Sequence, residues 1–141
     1  MKWMIGMRRA LVLCAVLGMT ACSKEEGSAD GGKVDIAAQT AILKSGADAN
    51  AKVDACTELG KAGERAAEAV PALIELLKDQ DGLVRRMAAY ALGEIGPKAK
   101  AAVPALQPLM SDPVREVMTQ AANSLRAIDP ASAPKMDASG Q

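Results

Sequence analysis

One block of this sequence returns at a fixed interval, and no other feature restricts the fold as strongly. Val70-Pro71-Ala72-Leu73 recurs as Val103-Pro104-Ala105-Leu106. At the interval that carries Val70 onto Val103, Leu76 falls on Leu109, Asp79 on Asp112, Val84 on Val117, and Ala88-Ala89 on Ala121-Ala122. Leu92, Ile95 and Pro97 fall on Leu125, Ile128 and Pro130, with no gap required. One period earlier, Leu92-Gly93 is matched by Leu59-Gly60, Gly96 by Gly63 and Asp81 by Asp48, so a degenerate copy precedes the two clear ones. Such units cannot bury an apolar face alone and gain a core by stacking on their neighbours.

Each copy carries two helical patterns. Pro71 suits a first helical position, where a missing N–H costs nothing, and Leu73, Ile74, Leu76 and Leu77 follow at helical spacing up to Lys78. Asp79-Gln80-Asp81-Gly82 is a polar turn with Asp81 available as an N-cap. Val84, Met87, Ala88, Ala91, Leu92 and Ile95 then step by three and four until Gly96-Pro97 stops the helix. The third copy predicts helices from Pro104 to Met110 and from Pro113 to Ile128. The expected architecture is all-α, an α-solenoid of about three antiparallel helix pairs over 34–63, 64–96 and 97–130.

The phrase running from Ala69 through Asp79, with Val84-Arg85-Arg86 and Ala91-Leu92-Gly93-Glu94-Ile95-Gly96, resembles a HEAT repeat of the short variety first described in phycobilin lyases. The resemblance implies a right-handed stack of helix pairs that binds other proteins along a groove; it does not imply lyase activity. It also implies an inter-repeat ladder of a turn Asp and a following Arg, matched by Asp81 and Arg85 and, more weakly, by Asp48 and Lys52. Val114 and Met118 stand at those positions in the third copy, so the ladder is expected to stop there.

The N-terminus points to a membrane. Lys2, Arg8 and Arg9 lead an apolar stretch from Ala10 to Ala21, shorter than the ~20 residues a spanning helix needs, in the pattern of an export signal. Met19-Thr20-Ala21-Cys22 resembles the lipobox of bacterial lipoproteins, which implies a signal peptide at 1–21 cut before a lipidated Cys22. Several acyl chains anchor stably where one does not. Ser23 in place of Asp implies the periplasmic face of the outer membrane rather than the inner membrane. Residues 23–33 hold nothing apolar larger than Ala and are expected to be a flexible tether; 131–141 is expected to be a disordered tail.

Composition removes whole function classes. The chain has 17 basic and 17 acidic side chains, and loss of Lys2, Arg8 and Arg9 with the signal leaves 14 against 17. That balance argues against a nucleic-acid footprint, and Tyr90 would be the sole remaining aromatic. No His occurs, which excludes Ser-His-Asp and Cys-His catalysis and His-bearing zinc sites. Cys56 aligns with Ala89 and Ala122 and reads as a buried packing thiol. Met87, Met110, Met118 and Met136 are too scattered for a copper site and read as filling. Glu25-Glu26 lies in the tether, without a rigid scaffold for catalysis.

No catalytic residue, metal site or cofactor is therefore expected. Arg85, Arg86 and Arg115 with Asp79, Asp81, Asp112 and Glu116 gather near the inter-helix turns, where capping and solvated charge account for most such groups. Arg86, Tyr90 and Glu94 step by four along one helix and are the candidate partner-binding residues, Tyr and Arg being favoured interface anchors. The expected function is a lipid-anchored adaptor or scaffold with a protein partner. The alternatives are a lyase-like or enzyme-associated subunit, and a structural envelope lipoprotein without a discrete partner.

Overall fold

The computed structural model describes residues 34–133. The expected signal peptide, Cys22 and the tether lie outside the described residues, as does the tail from residue 134. Six α-helices are present among the described residues: α1 Ile36–Lys44, α2 Ala49–Ala62, α3 Val70–Leu76, α4 Gly82–Ile95, α5 Val103–Leu106 and α6 Arg115–Ile128. Stretches of 3-10 helix cover Gly63–Ala69, Gly96–Ala102 and Gln107–Ser111. The domain is all-α and consists of stacked helix hairpins. The middle copy folds as α3 and α4; the third folds as α5, its 3-10 continuation and α6. Ahead of them, α1 packs on α2, and both reach into the middle copy.

Asp35 accepts a hydrogen bond from the Ala38 amide and starts α1, and Asp48 caps α2 in the same way through Ala51. Asp81 accepts from Leu83 N at 2.8 Å and caps α4. α2 and α4 both end where Gly63 and Gly96 take φ of +57° and +68°, a region that a β-carbon would penalise. The chain does not simply stop at Gly96-Pro97. It continues as 3-10 helix into the next copy, broken at Ala66 and again at the equivalent Ala99, where ψ turns positive. Apolar spacing carries no signal for these 3-10 segments, because a short 3-10 turn and an α-turn bury similar positions.

The third copy departs from the expected helices for a visible reason. Pro108 stands where the middle copy has Glu75. It cannot donate to the Pro104 carbonyl, and its ring crowds that carbonyl. α5 is therefore four residues long and passes into 3-10 helix at Gln107. α6 begins at Arg115 rather than Pro113, with Val114 at the cap position and no side-chain oxygen to satisfy its first amides.

The core repeats with the sequence. Leu59, Leu92 and Leu125 form one buried row; Leu73 with Leu106, Val84 with Val117, and Ile95 with Ile128 form others. Burying a side chain of this size contributes about 1.5–3 kcal/mol. α2 packs broadly on α4, and α4 on α6. Small residues set their spacing, since a β-carbon at Gly60 would sit 3.6 Å from Ala91 Cα, and one at Gly93 would sit 3.2 Å from Ser124 Cα. Beyond α6, the Asp129 carboxylate accepts from the Ala131 amide and the Ser132 hydroxyl, so the first residues of the expected tail form a turn. No helix among the described residues is long and apolar enough to cross a membrane.

Candidate functional site

The charged residues near the hairpin turns divide into two groups. One group holds the stack together. Arg85 Nε and Nη2 donate to the two Asp112 carboxylate oxygens at 2.8 and 2.9 Å, and Nη1 donates to the backbone carbonyls of Asp79 and Gln80. One copy earlier, Lys52 Nζ donates to Asp79 at 2.7 Å. These pairs connect residues 27 apart and link successive copies.

The ladder therefore exists, but its acids are Asp79 and Asp112, not Asp48 and Asp81. The latter two are occupied as caps of their own helices. A carboxylate at the cap position faces its own helix amides, whereas one two residues earlier faces the preceding copy. Through Asp112 the ladder also reaches the third copy, beyond the expected stop; Met118, replacing the cation, supplies no further rung. The hydrogen bond from Lys52 holds the Asp79 carboxyl below the usual carboxylate range, and that from Arg85 does the same for Asp112.

The second group lines an open groove of about 430 Å³ between α4 and α6. Arg86, Met87 and Tyr90 form one wall; Arg115, Glu116, Thr119 and Gln120 form the other. The structure thus brings Arg86 and Tyr90 together with a set of α6 residues. Glu94 is exposed and lies outside the lining, one turn further along α4. One turn beyond the lining in that direction, Ser124, 1% exposed, packs against Gly93. The Ser124 hydroxyl lies 2.6 Å from the Ala89 carbonyl and 2.9 Å from that of Gln120, two acceptors for its one proton. Tyr90 also has a packing role, with its ring edge 2.9 Å from where a β-carbon on Gly60 would be.

Cys56 is fully buried, and burial pushes its thiol up to about 12, so no thiolate forms at neutral pH. Met87 and Met110 pack against the core. Among the described residues no group of three or more His, Cys, Asp or Glu could hold a metal ion.

A family model described as HEAT repeats matches residues 36–126. No curated protein matches the chain. Among solved structures it is similar to an engineered protein known from a crystal structure, with 26% identity and a TM-score of 0.57 over 66% of this chain. The match covers 44% of that engineered protein, so this chain spans less than half of its length.

Proposed function

The chain belongs to the HEAT-repeat family, and from that premise we propose that it is a lipid-anchored adaptor that binds a partner protein in the α4/α6 groove. A HEAT-like stack is consistent with a protein-binding scaffold. The observation that carries the reading is the groove itself. It places the only aromatic of the expected mature chain beside a guanidinium on each wall, in a chain without His. Tyr and Arg dominate the energetics of protein interfaces.

Anchorage rests on Met19-Thr20-Ala21-Cys22 and its resemblance to a lipobox, with Cys22 as the lipid attachment residue. Ser23 favours the periplasmic face of the outer membrane. Cys22→Ser is expected to release a still-helical protein into the soluble fraction; a variant that stays with membranes would refute the anchor.

Binding is tested by a photo-crosslinking side chain at Thr119, inside the groove, and another at Glu75, exposed on α3, in intact cells. A discrete adduct from position 119 and none from 75 supports the adaptor. Equal adducts, or none, would remove it.

A further inference from the structure

Resting on that adaptor reading, we propose that the α4/α6 groove takes an extended acidic segment of its partner, a carboxylate lying between Arg86 and Arg115 and an apolar side chain two residues along on Met87 and Tyr90. Lys44, Lys78 and Lys100 are in no ion pair among the described residues, but none of them lines the groove, and four other cations are held by acids. Lys52 is bound to Asp79, Arg85 to Asp112, Lys61 to Glu58 and Lys98 to Glu64. The guanidinium groups of Arg86 and Arg115 have neither an ion-paired acid nor a hydrogen bond among the described residues. Glu116 shares the groove and pairs with neither. The groove thus offers two guanidiniums against one carboxylate, in a chain whose expected mature form has more acids than bases.

Planar guanidinium groups suit a carboxylate, which can accept two parallel hydrogen bonds from one of them. The spacing sets the motif. Arg86 and Tyr90 lie four positions apart, about 6 Å along a helix axis. An extended strand advances about 3.3 Å per residue and turns alternate side chains to the same side. An acid and an apolar residue separated by one position therefore match the wall of α4. Two cations engage too few phosphates to hold a nucleic acid, whose binding scales with the charges neutralised.

The test titrates the full chain with a short peptide carrying Asp-Ala-Leu in a Gly/Ser background, followed by the backbone amide resonances of Tyr90 and Thr119. The acidic peptide is expected to shift both. Its Asn-Ala-Leu analogue should bind at least about fivefold more weakly, as should Arg86→Gln or Arg115→Gln protein with an unchanged circular-dichroism spectrum. Absence of binding, or equal binding of the acidic and amide peptides, overturns the proposal. Self-association of the chain that Arg86→Gln abolishes also overturns it, by assigning the groove to a second copy. If crosslinks from position 119 persist while acid dependence fails, the adaptor stands and the acidic partner falls.

Discussion

The α2/α4 and α4/α6 contacts are built from equivalent positions of successive copies, yet they differ in how firmly they are held. At the first, a lysine makes a single contact to Asp79, and both side chains are 16–20% exposed. At the second, an arginine makes a two-pronged contact to Asp112, which is 5% exposed, and also secures the turn carbonyls at residues 79 and 80. The glycines differ likewise. Gly60 faces the edge of the Tyr90 ring, which can swing aside; Gly93 faces the backbone and hydroxyl of Ser124, which cannot. The groove with its two unpaired arginines opens at the tighter contact. One repeat unit thus yields a looser and a firmer joint by changing one cation and one neighbour of a glycine.

The largest expected effect comes from removing the firmer cation. Arg85→Ala strands a nearly buried carboxylate and should lower unfolding free energy by about 3 kcal/mol; Lys52→Ala, at the more exposed pair, should cost about 1 kcal/mol. Chemical denaturation of the two variants decides, and equal losses would erase the comparison. Next is Gly93→Ala, expected to cost about 2 kcal/mol because α4 and α6 must move apart. Gly60→Ala should fall within about 0.5 kcal/mol of the parent, the gain in helix propensity offsetting the displaced ring.

Acid gives a third measure. Asp79 and Asp112 titrate lower folded than unfolded, so the unfolded chain binds more protons as pH falls. Their stabilisation is complete above the unfolded value of about 3.9 and is lost as pH drops through the lower folded values. Melting temperature should therefore be insensitive to these acids from pH 7 to about 5 and fall below about 4, less steeply in Arg85→Ala. Val114→Thr is expected to have a small effect of the opposite sign. It supplies the missing cap oxygen of α6 in a side chain of the same shape, and should raise stability by about 0.5 kcal/mol.

The stacked hairpins were legible because the period needs no tertiary information: Leu92, Ile95 and Pro97 repeat as Leu125, Ile128 and Pro130 whatever surrounds them. The cap at Asp81 and the burial of Cys56 followed from register in the same way. The ladder acids were not, since Asp79 and Asp81 share one turn and only the position of the neighbouring copy separates them. A signal did exist: Asp79 recurs as Asp112, whereas Asp81 is replaced by Val114. Stepping along a single helix named Arg86, Tyr90 and Glu94 as candidates; the first two line the groove, and Glu94 lies outside its lining. The opposite wall belongs to the next copy; the position equivalent to Arg86 there is Thr119, one of its lining residues. Pro108 held the clue to the shortened α5, obscured by the apolar match of Leu109 and Met110 around it.

The Ser124–Gly93 contact has a consequence for how a guest would be received. Together with Arg85–Asp112 it holds α4 and α6 on either side of the groove, one fastening before Arg86 and the other after Tyr90. Two walls fastened at both ends keep their separation whether or not the space between them is filled. The entropy of shaping the site is then spent when the chain folds, and little of it remains to be subtracted from affinity. A preorganised slot of this kind favours a short segment that fits it as it stands over a guest that would have to part the helices.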